Sequence, residues 1–274
     1  MAQLTIDGRH VSYLEYGSGA PIVLLHAGGA SGKQWAKVGA LLEARFRVIA
    51  PDLWGFGGTE HWSGEQELTH DDQALLVAGV IEQLCKQPVH LVGHSYGGAT
   101  AVRLMLGNMA LVRTAVLIEP ILTPLLRLAG EEDHFREYLQ MAHSFLDNAA
   151  AGNLNEAWRA FLDYRNGPGT WEALPEPQRE RFRSVTESTV AAFRSNLSNP
   201  TSLEDLERLS LPILVMSGDK TTVPDRRVTE ILRDGIPQCR YALIPGAEHM
   251  SPLTHPAFIA EAVERHIDIA NNRR

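Results

Sequence analysis

The segment Gly93–Gly97 reads G-H-S-Y-G, a G-x-S-x-G pattern that could present a serine for nucleophilic chemistry. The apolar run Val89–Val92 precedes it, and a helix-like stretch follows it. A serine on a tight turn between a strand and a helix is held in strained backbone geometry that exposes its hydroxyl above the sheet. The pattern also occurs by chance in loops, so the prediction of a nucleophile at Ser95 rests on this flanking context.

A serine hydroxyl attacks a carbonyl efficiently only when a neighbouring base takes its proton. The base is expected on a loop after the last strand, where Ile244–His249 supplies a strand end, a glycine turn and a histidine. His249 is therefore the predicted base. His255 is predicted to be a structural or surface residue at the start of the closing helix. His94 is predicted to pack away from the serine beside it.

The tetrahedral intermediate of such an attack needs two donors for its oxyanion. The amide of Tyr96 is expected to be one, because it opens a helix, and a helix N-terminus favours negative charge. The other is expected from the glycine-rich loop after the third strand, where Gly28 is the first choice and Gly29 the second. Alternatively, these glycines serve only the turn. His26 is expected to anchor this loop.

The elements that must position these residues follow from the pattern of the chain. Short apolar runs alternate with amphipathic stretches, which is typical of a mostly parallel sheet covered by helices. After the sixth run, helical periodicity replaces the strand pattern before two last strands and a closing helix. We therefore predict an α/β core over residues 1–119 and 211–274 and a helical cap over residues 120–210, inserted after strand six.

A cap above the carboxyl ends of the strands is expected to control access to Ser95. Its aromatic residues either line a pocket or pack the cap onto the core, and packing is the more common outcome. These residues are Phe135, Phe145, Trp158, Phe161 and Trp171.

Several motifs occur in one order over nearly the whole chain. They are His26-x-Gly28-Gly29 with Trp35 downstream, Asp52-Leu53-Trp54-Gly55-Phe56-Gly57, the serine turn, Gly218-Asp219 and Gly246-x-x-His249. With them the chain resembles the capped α/β-hydrolases of the esterase, enol-lactonase and carbon–carbon-bond hydrolase type. The resemblance implies an eight-stranded, mostly parallel sheet flanked by helices and a triad in the order serine, acid, histidine. Ala27 departs from it, since the family usually has glycine there.

The acid of this triad has two main candidates. The family usually places an aspartate three residues beyond a glycine after the seventh strand; here that place holds Thr221, and Asp219 stands two residues earlier. The other place is the end of the sixth strand, where Glu119 stands, as in a group of haloalkane dehalogenases. A carboxylate there is partly buried and needs a hydrogen-bonded partner such as a histidine. Glu119 is favoured over Asp219, and Asp225 is the third choice.

Together these residues predict a serine hydrolase that cleaves a small carbonyl substrate, an ester or a lactone first, through an acyl-enzyme. A carbon–carbon-bond hydrolase is the alternative, although those relatives commonly have tryptophan where this chain has Met250. A small-molecule receptor and a cofactor-free oxygenase or perhydrolase are non-hydrolytic alternatives on the same fold. Ser95 argues against a haloalkane dehalogenase or epoxide hydrolase, because those relatives use aspartate there.

The composition and the cysteine and histidine spacing limit the expected partners, localisation and cofactors. The 274 residues carry a net charge of -8 and no Lys/Arg cluster, which argues against nucleic-acid and anionic-membrane partners. No signal peptide is visible and Cys85 and Cys239 are isolated, so a cytoplasmic address is expected. Histidines such as His70, interpreted as a solvated loop residue, lack metal-ligand spacing, so neither a metal nor a cofactor is expected. The expected partner is a small-molecule substrate, and a homo-oligomer stays open.

Overall fold

A computed structural model describes residues 1–272 of the protein. Its strands are β1 Ala2–Ile6, β2 Arg9–Tyr16, β3 Ala20–Leu25, β4 Phe46–Pro51, β5 Val89–His94, β6 Val112–Ile118, β7 Ile213–Gly218 and β8 Arg240–Ile244. Within the described range these eight strands form one sheet in the order β1-β2-β4-β3-β5-β6-β7-β8. β1 and β2 run antiparallel to their neighbours, and every other pair is parallel. The predicted fold class is therefore confirmed.

The helices flank this sheet and extend beyond one edge of it. In chain order they are α1 Ala36–Leu42, α2 His70–Val80, α3 Tyr96–Asn108, α4 Pro124–Leu128, α5 Glu132–Ala150, α6 Leu154–Asn166, α7 Thr170–Ala173, α8 Glu176–Ser184, α9 Thr186–Leu197, α10 Leu203–Glu207, α11 Val223–Gly235, α12 Ser251–Thr254 and α13 Pro256–Asn271. Short 3₁₀ turns lie at Gly32–Trp35 and Met109–Leu111, and a π-turn at Ile81–Cys85 continues α2. None of the helices within residues 1–272 has the length and apolar character needed to cross a bilayer.

The central strands are buried because helices cover both faces of the sheet. β5 is buried along its whole length, as expected for a parallel strand between two helical layers. One apolar layer packs the sheet against α2, α3 and α11, and a second packs it against α1 and α13. β7 begins at Ile213, because the preceding Pro212 has no N–H to donate to a ladder. The central strands, including β5 below the serine turn, are thus packed against helices on both faces.

The helices α4–α10 lie between β6 and β7, in the segment predicted as the cap. An aromatic cluster within this segment contains fully buried Phe145, Trp158 and Trp171. Phe145 stacks on Phe193 with ring centroids 4.6 Å apart. Leu125 of α4, in contrast, joins the apolar layer of the core. The residue boundaries of core and cap stay a prediction.

Candidate active site

Ser95 lies between β5 and α3, at the point where the backbone turns sharply. Its φ of 56° and ψ of −117° are strained values for a residue with a side chain. The turn is also crowded: a Cβ at Gly93 would lie 2.5 Å from the carbonyl oxygen of Gly97, and one at Gly97 would lie 2.5 Å from that of Leu25. The two glycines of the motif are therefore required by the close approach of strand and helix.

His249 lies between Ser95 and Glu119 and is hydrogen-bonded to both. The hydroxyl of Ser95 is 3.0 Å from His249 Nε2, in position to donate to it. On the other side of the ring, Nδ1 is 2.6 Å from Glu119 Oε2 and donates to it. All three side chains are buried. The structure thus brings together three residues that the sequence analysis selected from distant parts of the chain.

Glu119 follows β6 and is fixed by two further donors. Its Oε1 accepts from the amide of Gly218 at 2.7 Å, and its Oε2 accepts from the hydroxyl of Thr221 at 2.8 Å. Burial disfavours the carboxylate, but the imidazole of His249 and these donors hold the pKa of Glu119 below its usual value. Thr221, which occupies the place where an aspartate was expected, is therefore a partner of the carboxylate from β6.

The backbone around Glu119 is also bonded to neighbouring segments of the site. Its φ is +42°, in the left-handed region that non-glycine residues rarely adopt. Its amide donates to the carbonyl oxygen of Met216 at 3.0 Å. Two residues later, the amide of Ile121 donates to the carbonyl oxygen of Ser95 at 3.2 Å. The start of the segment between β6 and β7 is therefore bonded directly to the serine turn.

The structure does not bring Asp219 to the imidazole, although it was the second candidate for the acid. Asp219 is exposed, and its Oδ1 accepts from the amide of Gly246 at 2.7 Å. This contact closes the turn that leads to His249. Asp219 precedes Thr221 by two residues, and its side chain points to the turn after β8, whereas Glu119 lies beside His249.

Asp225, the third candidate, lies near the imidazole but is paired with a cation. Its Oδ2 is 3.8 Å from His249 Nδ1 and in direct contact with Arg165 Nη1 of α6. Both members of this ion pair are buried. Glu119, Asp225 and His249 lie close enough together to hold a metal ion. The guanidinium of Arg165 already supplies the positive charge that a metal would bring there.

The electrostatic surroundings keep His249 neutral near pH 7. Burial lowers its pKa below 6.5, and the positive charge of Arg165 lowers it further, while Glu119 opposes both effects. A neutral imidazole whose Nδ1 proton faces a carboxylate leaves Nε2 free to accept the proton of Ser95. The arrangement can therefore activate a hydroxyl nucleophile.

The predicted oxyanion loop lies beside the serine turn. Gly28, Gly29 and Tyr96 all line the cavity above Ser95. Tyr96 is the first residue of α3, so its amide has no acceptor within the helix. Among residues 1–272 the amide of Gly28 donates to no protein atom, whereas that of Ala27 donates to Gln34 at 3.1 Å. The amide of Gly29 donates to no protein atom within residues 1–272 either, so Gly28, Gly29 and Tyr96 all present amides that are available to a ligand.

His26 holds the base of this loop. Its Nδ1 donates to the carbonyl oxygen of Ala27 at 2.7 Å, and its Nε2 accepts from the amide of Leu53 at 3.0 Å. Burial lowers the pKa of His26, in keeping with this neutral, doubly bonded state.

A link between the oxyanion loop and His249 was not anticipated from the sequence. Gln34, whose Oε1 accepts from Ala27, donates through Nε2 to Nδ1 of His94 at 3.1 Å. His94 Nε2 in turn donates to the carbonyl oxygen of His249 at 2.9 Å. Burial lowers the pKa of His94 to about 3, so it stays neutral in this role. The only sequence signal was that Gln34 follows the Gly28-Gly29 loop and that His94 lies within the serine motif.

Two other histidines lie away from the serine. His255 opens α13, and its Nδ1 lies 2.8 Å from the hydroxyl of Thr254. His70 was interpreted as a solvated loop residue, and this was wrong, because it is buried at the start of α2. Its ring nitrogens contact Thr100 at 3.0 Å and Asn196 at 2.9 Å. The capping box at Thr69 makes His70 the first residue of α2, and its ring packs against α3 and α9 rather than facing solvent.

A cavity of about 370 Å³ lies above Ser95 and His249. One wall comes from the oxyanion loop, and the other comes from α5, α6, α8 and α9. Of the cap aromatics singled out from the sequence, Phe161 lines the cavity, whereas Trp158 packs behind it. Phe182 and Phe193 also line it and were missed, because their spacing is the same as that of packing residues.

Comparison with known proteins gives several full-length relatives. A soluble epoxide hydrolase from Corynebacterium sp. (strain C12) is 28% identical over 237 residues, covering 79% of this chain and 80% of the relative. A pimeloyl-acyl-carrier-protein methyl ester esterase from Aeromonas hydrophila is 25% identical over 268 residues, covering 94% and 99%. In fold, the chain is similar to the meta-cleavage product hydrolase of Pseudomonas fluorescens IP01, with a TM-score of 0.76, 19% identity and 98% coverage of each chain.

The family assignment agrees with the fold and with these relatives. The motifs that carried the resemblance span residues 26–249, and the structure has the eight-stranded, mostly parallel sheet that the resemblance implied. The family described as the alpha/beta hydrolase family matches residues 22–262. The protein therefore belongs to the alpha/beta hydrolase family.

Proposed function

We propose that this protein is a serine hydrolase that cleaves a small carboxylic ester or lactone through an acyl-enzyme. The observation that carries the proposal is the continuous hydrogen-bonded series from Ser95 through His249 to Glu119, at the floor of the cavity. Epoxide opening on this fold would form an alkyl ester intermediate, which needs a carboxylate nucleophile. Position 95 is a serine, which argues against that reaction. The esterases among the relatives add support.

In the first half of the reaction, Ser95 Oγ attacks the substrate carbonyl while its proton moves to His249 Nε2. The carbonyl oxygen becomes an oxyanion, which the amides of Gly28 and Tyr96 stabilise. Glu119 stabilises the imidazolium and fixes its tautomer. As the intermediate collapses, the carbon–oxygen bond to the alcohol breaks, and His249 returns the proton to the leaving oxygen.

In the second half, water replaces the alcohol. His249 takes a proton from the water, whose oxygen attacks the acyl carbon of the ester on Ser95. Collapse of this second intermediate releases the acid and returns the proton to Ser95 Oγ. Burial lowers the pKa of His249, so the imidazole is ready to accept a proton at neutral pH in both halves.

The test combines labelling with a substrate panel. A fluorophosphonate should modify Ser95, located by peptide mass spectrometry, and the label should be lost in Ser95→Ala. The same preparation should hydrolyse activated acyl esters or lactones of graded chain length. An enzyme that leaves these substrates intact but cleaves a vinylogous β-diketone would replace the ester proposal with the carbon–carbon-bond alternative. Ligand binding without turnover or labelling would favour a receptor.

A further inference from the structure

The charges along the cavity wall have one sign. The lining includes Lys33, Arg165 and Arg181, and within residues 1–272 no aspartate or glutamate lines it. The chain as a whole has a net charge of -8, so this local excess of cations runs against the composition. A cavity lined by charges of one sign attracts ligands of the opposite sign.

Arg165 does not account for this excess. Its guanidinium is in contact with the carboxylate of Asp225, and both side chains are buried. The pair is therefore close to neutral as seen from the cavity. The charges without a compensating carboxylate are those of Lys33 and Arg181.

Arg181 differs from its neighbours on α8. Arg179 and Arg183, two residues to either side, each pair with Glu176. Arg181 is exposed, reaches the cavity and forms no ion pair with any residue in the described part of the chain. Lys33, on the opposite wall, is likewise exposed, reaches the cavity and forms no ion pair within residues 1–272. Two unpaired cations, one from the core and one from the helical segment, thus border the solvent-facing end of the cavity.

Between this end and Ser95 the lining is largely apolar. Ile121, Phe161 and Phe193 contribute side chains that suit a hydrocarbon body. A ligand that satisfies both regions has a short apolar section next to the scissile carbonyl and a negative group at the far end.

We propose that the substrate carries a carboxylate remote from the scissile carbonyl and that Lys33 and Arg181 bind it where the cavity opens. The inference rests on the proposed serine hydrolase function and names the substrate class of that site. The carboxylate belongs either to the acyl part or to the alcohol part of the ester. The two cations act on it in the same way in both cases.

Matched pairs of substrates isolate the charge. For the acyl part, the monomethyl ester of adipate is compared with the methyl ester of adipamic acid. For the alcohol part, the butanoyl ester of 4-hydroxybenzoate is compared with that of 4-hydroxybenzamide. Each pair differs only by a carboxylate in place of an amide. The measured quantity is the ratio of kcat/KM for the anion to kcat/KM for the amide.

The variants are Lys33→Gln/Arg181→Gln and a control, Lys37→Gln/Arg136→Gln, which removes two exposed cations that do not line the cavity. In one of the two pairs, the ratio should fall about tenfold in the first variant and stay unchanged in the control. In the unmodified protein, the same ratio should fall as salt rises from 20 to 500 mM (about 20 to 4 Å in Debye length), because salt screens exposed charges.

The outcomes separate the two proposals. Ratios that are equal in the protein and in Lys33→Gln/Arg181→Gln for both pairs would overturn the carboxylate inference and leave the hydrolase intact. A ratio that falls equally in the control would also overturn it, because the effect would then come from net charge. No turnover of any of the four esters, together with no fluorophosphonate label, would overturn both proposals.

Discussion

The floor of the cavity consists of Ser95, His249 and Glu119, and its roof is the segment between β6 and β7 with the helices α4–α10. The two are built from different interactions. At the floor, Glu119 accepts from three donors and His249 is bonded through both ring nitrogens. In the roof, a cluster of aromatic rings packs behind and around the cavity, with contacts such as Trp158 to Phe182 at 4.7 Å. Directional hydrogen bonds fix atoms within a fraction of an ångström, whereas apolar packing fixes mainly volume. We therefore expect substitutions in the floor to change rate, and substitutions in the roof to change stability and substrate choice.

The largest effect should come from Ser95→Ala. Removal of the nucleophile should lower kcat/KM on an activated ester by about 10⁴-fold or more, since members of a triad act as a unit. Within residues 1–272 the Ser95 side chain is bonded only to His249, so the melting temperature should change little. Steady-state kinetics and thermal unfolding check the two statements. Full hydrolysis by this variant would contradict the role of the floor.

Next in size is Glu119→Gln, compared with Asp219→Asn. The one carbonyl oxygen of the glutamine can still accept from the amide of Gly218, but an NH2 group then replaces the oxygen that accepts from Thr221 and His249. His249 loses its negative partner, so kcat should fall by about 10²–10⁴-fold. Within residues 1–272 the Asp219 side chain bonds only to the amide of Gly246, so the loss of activity in Asp219→Asn should be mild. Both are measured on one activated ester. A severe defect in Asp219→Asn beside a nearly normal Glu119→Gln would reverse the assignment of the acid.

The ion pair that joins floor and roof should dominate stability. Arg165→Met leaves Asp225 buried without its partner, which should cost about 3–5 kcal/mol in the free energy of unfolding. The double variant Arg165→Met/Asp225→Leu should recover most of this loss. Urea unfolding of Arg165→Met, Asp225→Leu and the double variant, each compared with the unmodified protein, gives the coupling energy. Losses that simply add would mean that the two side chains do not depend on each other.

Two neighbouring aromatics should separate packing from substrate choice within the roof. Trp158 is fully buried behind the cavity, so Trp158→Ala should lower stability by about 3–5 kcal/mol and reduce all rates alike. Phe161 lines the cavity, so Phe161→Ala should shift the preferred acyl chain length more than the rate on an acetate ester. A chain-length series and thermal unfolding distinguish them. Identical chain-length preferences and unfolding temperatures in Trp158→Ala and Phe161→Ala would contradict this separation of packing from substrate choice.

The smallest expected effect is a shift in pH dependence. The base must be neutral to accept a proton, so kcat/KM should rise with pH through the pKa of His249, which burial and Arg165 place below 6.5. Arg165→Met removes a positive charge and should raise that pKa, which moves the acid limb to higher pH. Profiles of kcat/KM from pH 4 to 9 (about 2.5 pH units on either side of the ordinary histidine value) check the direction. An acid limb that moves to lower pH would contradict it.

The sequence predicted most of what depends on local pattern. Ser95 and the loop at Gly28 could be located because a tight turn demands glycines at fixed spacing. The sequence favoured Glu119 over Asp219 as the acid but did not decide between them, since the choice depends on how the ends of β6 and β7 meet. The catalytic roles themselves stay predictions until the variants are measured.

What the sequence did not predict depends on contacts between distant segments. Arg165 meets Asp225 across the boundary of core and roof, and no periodicity relates a residue of α6 to one of α11. The bond from Gln34 to His94 likewise joins two loops that carry separate motifs. Such pairs are visible only once the chain is folded, because side-chain charge and polarity alone do not select a partner.

The bond from Ile121 to Ser95 limits how the roof could be exchanged between homologues. A chimera that takes foreign sequence from residue 120 onward would replace Pro120, which packs closely on Gly98, and could place a proline at residue 121, which would lack the amide that donates to Ser95. Grafts should therefore keep the recipient's residues through 121 and begin at Leu122. In evolution, the same constraint would let the roof diversify while its first residues are inherited with the triad.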